Sequence, residues 1–105
     1  MIRILIVDSD IDQCRGLSEL LSLFDFDCAA AVNNIDALRI LAESDPLPKI
    51  ILLNPNLPEM GSWKFLEALN YNKAYAKIPV MTMVADDVVH CGPLQFAQLL
   101  SKAFN

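Results

Sequence analysis

Short apolar runs alternate along the chain with segments whose apolar residues recur at helical spacing. Ile2–Val7 is almost wholly apolar and rich in branched residues, which is typical of a parallel strand buried on both faces. Ile50–Leu53 has the same character and is bounded by prolines, and weaker strand signals cover residues 26–32 and 78–84. The pattern therefore predicts four strands separated by helical segments.

Polar capping residues and apolar spacing place the helices. The first is predicted at residues 10–24, the second from an N-cap at Asn34, and the third from an N-cap at Ser62. Residues 94–104 are amphipathic and predict a last helix, whereas residues 70–77 are expected to be irregular. The apolar positions that carry this pattern are Ile11, Cys14, Leu17, Leu21 and Phe24 in the first helix, Ile35, Leu38, Leu41 and Ala42 in the second, and Trp63, Leu66 and Leu69 in the third.

Strands that alternate with helices indicate an α/β fold. We expect one domain over residues 1–105, built as a three-layer, doubly wound, mostly parallel sheet of four or five strands. In such sheets the working site lies at the carboxyl ends of the strands. Those ends are residues 8–10, 54–56 and 84–86.

The chain departs from this plan after Val84. Only three residues separate Val84 from the branched pair Val88 and Val89, whereas a parallel crossover usually needs about a dozen or more. We therefore expect the fourth crossover helix to be missing and the segment after Val84 to be remodelled. Residues 88–91 could return as an antiparallel strand, which we favour, or residues 85–93 could form an irregular loop.

Composition narrows the class of protein. The chain has 105 residues, of which 54% are hydrophobic and 20% charged, so it can bury a core of its own. Its net charge of −5 repels phosphate backbones, which argues against nucleic-acid binding. No apolar run approaches the ~20 residues of a membrane span, and a cytoplasmic location is expected. The cysteines at positions 14, 28 and 91 are odd in number and widely spaced, which favours buried, reduced thiols.

Three blocks of sequence together resemble the receiver domains of response regulators. Residues 4–10 (ILIVDSD) are similar to the first strand and acidic turn of that family. Residues 48–61 (PKIILLNPNLPEMG) resemble its third strand and following loop, and residues 78–85 (IPVMTMVA) its fourth strand. The resemblance implies a flavodoxin-like fold and a place in two-component phosphorelay signal transduction.

The same resemblance implies five groups for phosphoryl chemistry, and four of them are replaced here. This chain has Asn54 at the position of the nucleophilic aspartate. Of the two acids that hold magnesium, the first is present as Asp8 and the second is replaced by Ser9. Val84 stands at the position of the switch hydroxyl, and Gly92 stands at the position of the lysine. An amide has no carboxylate oxygen with which to form an acyl phosphate. We therefore expect no phosphorelay step.

The remaining polar groups at the strand ends have structural interpretations. Asn54 is expected to hydrogen-bond to the Asp8 loop, and Asp10 to cap the first helix. Asp8 is a weak metal candidate, because one carboxylate is a poor start for octahedral magnesium. We predict no cofactor.

These observations favour a degenerate receiver, or pseudo-receiver, that acts as a protein-interaction module in signalling and is not an enzyme. Its partner would be a protein, contacted through an interface that includes Trp63, Val88 or Val89. Trp63 fits a core position and a partner anchor about equally well. A homodimer through residues 84–104 would cover an exposed strand edge.

Two alternative functions stay open. One is an atypical receiver that is still switched by phosphorylation or metal at Asp8 or Asp10. The other is a flavodoxin-like domain that binds a small ligand at the strand ends. The second lacks a glycine-rich phosphate loop, since the three glycines are widely separated at positions 16, 61 and 92.

Overall fold

The computed structural model describes residues 2–82, and these form a parallel sheet covered by helices. The sheet has the order β2-β1-β3-β4. Its strands are β1 (Ile2–Val7), β2 (Phe26–Ala31), β3 (Ile50–Leu53) and β4 (Val80–Thr82). The helices are α1 (Ile11–Ser22), α2 (Asn34–Glu43), α3 (Gly61–Asn70) and α4 (Lys73–Ala76), with a 3-10 turn at Pro58–Met60 before α3.

The predicted α/β architecture is confirmed, and the weaker strand signals prove to be real strands. No helix within residues 2–82 is long and apolar enough to cross a bilayer. The predictions of a fifth strand, a missing crossover helix and a last helix over residues 94–104 lie outside the described residues.

The two central strands supply both halves of the core. β1 pairs in parallel with β2 on one side and with β3 on the other, and successive side chains point to opposite faces of the sheet. One face meets α1 and the other meets α2 and α3, which gives three layers. The α1 face buries Ile4, Ile6, Ile50, Leu52, Cys14 and Leu21, and the opposite face buries Leu5, Val7, Ile51, Leu53, Ala37, Leu41, Phe65 and Leu69. Each fully buried aliphatic side chain contributes roughly 1.5–3 kcal/mol by removal from water.

The core-facing stripe predicted for α2 is wrong in part. Ile35 is 74% exposed and Ala42 is also exposed, because both lie on the side of the helix that faces away from the sheet. The buried positions are Ala37 and Leu41. The N-cap is Asn33, whose side chain accepts from the Asp36 backbone N–H at 2.7 Å, so Asn34 is the first helical residue and does not cap.

The apolar stripes predicted for the first and third helices are also wrong in part. Ile11, at the start of α1, is 55% exposed. On α3 the aromatic core residue is Phe65, with no exposed surface, whereas Trp63 is 65% exposed. Ser62 does not cap α3 but lies buried inside its first turn.

The segment predicted to be irregular contains a helical turn. Asn72 caps α4 by accepting hydrogen bonds from the backbone N–H groups of Ala74 and Tyr75. β4 begins at Val80 and not at residue 78. Pro79 before it still uses its carbonyl, which accepts from the Ile51 N–H at 2.9 Å.

Both described cysteines are free thiols in apolar surroundings. Cys14 is buried on α1 and Cys28 is half-buried on β2. Burial, with Asp8 and Asp10 beside Cys14 and Asp27 beside Cys28, raises the pKa of each thiol to about 11. The buried, free thiol predicted from the sequence is therefore found at Cys14, whereas Cys28 is free but only half-buried. Cys91 lies outside the described residues.

We expect iodoacetamide to label Cys14 and Cys28 far more slowly in the folded chain than in the unfolded chain at about pH 8, because the thiolate is the nucleophile. The folded state favours the neutral thiol. The stability gained by keeping the thiols neutral is complete below pH 9, the pKa of an ordinary cysteine. It is lost as the pH rises through about 11. Peptide mapping by mass spectrometry reads each cysteine separately. Equal rates of labelling for the folded and the unfolded chain at about pH 8 would contradict the prediction.

Candidate functional site

Parallel pairing brings two polar residues to one edge of the sheet. Val7 ends β1 opposite Leu53, which ends β3, so Asp8 and Asn54 follow their strands side by side. The backbone N–H of Asn54 donates to the Val7 carbonyl at 2.9 Å and continues the strand pairing by one residue. The strand register alone therefore places Asp8 and Asn54 next to each other.

The Asn54 amide donates to the Asp8 carboxylate. Asn54 Nδ2 lies 3.0 Å from Asp8 Oδ1, and the backbone N–H of Asp10 donates to the same oxygen at 3.0 Å. Asp8 is 1% exposed. Its other oxygen, Oδ2, is buried and has no hydrogen-bond partner. The contact predicted between Asn54 and the Asp8 loop is confirmed, and it ties the loop after β1 to the loop after β3.

A second set of hydrogen bonds fixes the loop between β3 and α3. Asn54 Oδ1 accepts from the Asn56 N–H at 2.9 Å. Ser62 Oγ donates to the Asn54 carbonyl at 2.7 Å and accepts from the Leu57 N–H at 3.1 Å. Sequence reasoning missed this role for Ser62. Its spacing from Phe65 and Leu69 matches one buried helical stripe and was the available signal.

The same loop holds two residues in strained backbone conformations. Glu59 and Met60 both have φ of 57°, in the left-handed region, although neither is glycine. Such a conformation costs roughly 1–2 kcal/mol per residue for an L-amino acid. Gly61 follows at a close approach, since a Cβ there would lie 3.3 Å from Leu57 Cβ. The bonds made by Ser62 and the packing at Gly61 hold this loop in place.

The other acidic residue of the first loop stabilises a helix. Asp10 Oδ1 accepts from the Gln13 N–H at 3.1 Å, which makes Asp10 the N-cap of α1, as predicted. Ser9 between the two aspartates is exposed. The Asp8 carbonyl accepts from Cys14 Sγ at 3.3 Å. The side chain of Asp10 therefore caps α1, while its backbone N–H donates to Asp8 Oδ1.

The donor set of this site does not fit magnesium. Asp8 Oδ1 already accepts two hydrogen bonds, Asn54 Oδ1 accepts one, and Asp10 caps its helix. Two side-chain oxygens of these three residues accept no hydrogen bond. They are the buried Oδ2 of Asp8 and the second carboxylate oxygen of Asp10. Across the part of the chain that the structure describes, no three His, Cys, Asp or Glu residues form a metal-binding group. A small, hard cation needs near-octahedral oxygen coordination, and these groups do not supply it.

The remaining candidate residues lie elsewhere. Trp63 is on α3 and is exposed at the surface. The predictions for Val84, Gly92, Val88 and Val89, and for a dimer surface over residues 84–104, fall beyond residue 82 and outside the described residues.

Known proteins match both the sequence and the fold. The curated transcriptional regulatory protein CpxR homolog of Haemophilus influenzae is 35% identical over 85 residues, which are 81% of this chain and 35% of the relative. Regulatory protein AtoC of Escherichia coli is 29% identical over 99 residues, which are 90% of this chain and 21% of the relative. The chain thus spans well under half the length of either relative.

The solved structures show the fold. Chemotaxis protein CheY4 of Vibrio cholerae superposes with a TM-score of 0.77 at 18% identity, over 97% of this chain and 98% of that one. A sensor protein from Polaromonas sp. JS666 gives a TM-score of 0.75 at 20% identity, over 95% and 91% of the two chains. Over residues 4–105 the sequence matches the response regulator receiver domain, and the chain belongs to that family.

Proposed function

We propose that this receiver domain works as a protein-interaction module in signal transduction, that it is not an enzyme, and that it does not form an aspartyl phosphate. The observation that carries this proposal is the hydrogen bond from Asn54 Nδ2 to Asp8 Oδ1. The residue at the position of the nucleophile is an amide, and its nitrogen is turned towards the surviving acid. No carboxylate oxygen stands there to attack a phosphoryl group.

The amide also removes the need for a cation. Two carboxylates at hydrogen-bond distance repel each other, and a bound metal or a shared proton must offset that repulsion. With Asn54 the same contact is an attraction, and a hydrogen bond to a charged group contributes roughly 1.5–3 kcal/mol. The arrangement of the two loops is therefore maintained without magnesium or phosphate, and the module's state would be constitutive or set by a partner.

The alternative of phosphorylation at Asp8 or Asp10 has less support. Asp8 is buried, so a phosphodonor cannot reach it without opening the site. Asp10 would lose its cap on α1 if it were modified. A small-ligand domain is also less favoured, because the family match is to receivers. The protein partner, the cytoplasmic location and a homodimer through residues 84–104 remain proposals.

We expect no covalent phosphoryl adduct after incubation with acetyl phosphate and magnesium, as measured by intact mass. Asn54→Asp alone should also remain essentially unreactive, because the second acid, the hydroxyl and the lysine are still replaced by Ser9, Val84 and Gly92. A phosphorylatable receiver treated in parallel is the control for the reagent. A stable adduct on the unsubstituted chain would overturn the proposal, and mapping it to Asp8 or Asp10 would establish the alternative.

Calorimetric titration with magnesium should show no saturable binding at micromolar affinity. The site offers one buried oxygen without a hydrogen-bond partner, Asp8 Oδ2, and a single oxygen is too few for near-octahedral coordination. The Asp8→Ala variant is the matched control and should give the same trace. Stoichiometric binding to the unsubstituted chain that Asp8→Ala abolishes would show that the site retains its metal.

A further inference from the structure

Asp8 is a buried carboxylate that lacks a counter-charge among residues 2–82. The residue is 1% exposed, and none of the ion pairs formed in this range includes it. Its Oδ1 accepts from two neutral donors, the Asn54 amide and the Asp10 backbone N–H, and its Oδ2 accepts from none. Burying a charge is unfavourable unless the charge is paired or ligated. The strand ends therefore hold a negative charge that the neighbouring donors satisfy only in part.

The hydrogen bonds of Asn54 fix which of its side-chain atoms faces Asp8. Asn54 Oδ1 accepts from the Asn56 N–H at 2.9 Å, and this leaves Nδ2 directed at Asp8 Oδ1, 3.0 Å away. An aspartate has nearly the same shape as an asparagine. If the Asn56 N–H kept its acceptor, a carboxylate at position 54 would direct its second oxygen at Asp8. Two negative oxygens would then meet where an N–H donor now lies, and they would repel each other.

We propose that the strand ends form a latent divalent-cation site, which the Asn54 amide closes. The amide nitrogen gives Asp8 the positive neighbour that a cation would otherwise supply, so residue 54 alone makes the fold independent of metal. With a carboxylate at position 54, the unpartnered Asp8 Oδ2 and the new oxygens become available as ligands. Magnesium is commonly held by one or two carboxylates and keeps several waters, so these groups suffice for it.

The latent site deepens the proposed function and rests on it for the identification of Asn54 as the replaced nucleophile. The proposed function concerns the lost phosphoryl chemistry, whereas the latent site concerns the stability of the fold. The two can therefore fail separately.

The experiment is thermal unfolding of the 105-residue chain and of its Asn54→Asp variant, followed by circular dichroism at neutral pH. Each protein is measured in magnesium chloride and in sodium chloride of equal ionic strength, since sodium screens charges without bridging them. In sodium chloride, Asn54→Asp should melt below the unsubstituted chain. Magnesium at about 10 mM should raise the melting temperature of Asn54→Asp by about 5 °C or more, and that of the unsubstituted chain by less than about 1 °C.

Two further variants separate charge repulsion from the loss of a contact. Asn54→Ala removes the hydrogen bond without adding a charge, so it should melt below the unsubstituted chain and show no response to magnesium. The double variant Asp8→Asn, Asn54→Asp exchanges the two groups and again sets one amide against one carboxylate. In sodium chloride alone it should regain most of the melting temperature that Asn54→Asp loses. Poor packing at position 54 would not be rescued by this exchange.

Four results would overturn the proposal. An Asn54→Asp variant that melts with the unsubstituted chain in sodium chloride would show that no repulsion arises. The same variant destabilised or unfolded equally in both salts would show that no cation binds. A magnesium response of Asn54→Ala as large as that of Asn54→Asp would place the effect elsewhere in the chain, and an exchange variant without recovery would refute the role of charge. In each case the absence of an aspartyl phosphate is decided independently by the acetyl phosphate experiment.

Discussion

The hydrogen bond between Asn54 Nδ2 and Asp8 Oδ1 is the contact on which the arrangement of the strand ends depends. β1 and β3 are neighbours in the sheet, and their register sets the two residues side by side. The bond joins the loop that starts α1 to the loop that starts α3. Because Ser62 anchors the same Asn54 backbone from within α3, helices on opposite faces of the sheet are fixed to one polar centre.

This contact sets the chemistry of the strand ends. A carboxylate pair would repel itself and make the strand ends sensitive to metal and phosphate, whereas the Asn54 amide pairs with the Oδ1 oxygen of Asp8. The loop after β3 also holds Glu59 and Met60 at φ of 57°. The proposed function rests on this contact, since a module without chemical input at its strand ends would take its specificity from its surfaces.

The fold could be predicted from sequence where burial is complete. β1 and β3 are apolar at nearly every position because both of their faces are covered, and their bounds were predicted correctly. The stripe of α2 was predicted less well, because Ala37 supports close packing while Ile35, the larger side chain, faces solvent. Ser62 shows the corresponding limit in the site. A hydroxyl near the start of a helix resembles a cap, and only the tertiary contact with Asn54 reveals its role.

A double-mutant cycle on Asp8 and Asn54 tests the central claim most directly. The free energy of unfolding is measured by urea denaturation for the unsubstituted chain, Asp8→Ala, Asn54→Ala and the double variant. If the two side chains form a structural joint, their coupling energy should be favourable and about 1–3 kcal/mol. A coupling energy below about 0.5 kcal/mol, which is the scatter expected of independent sites, would contradict the account.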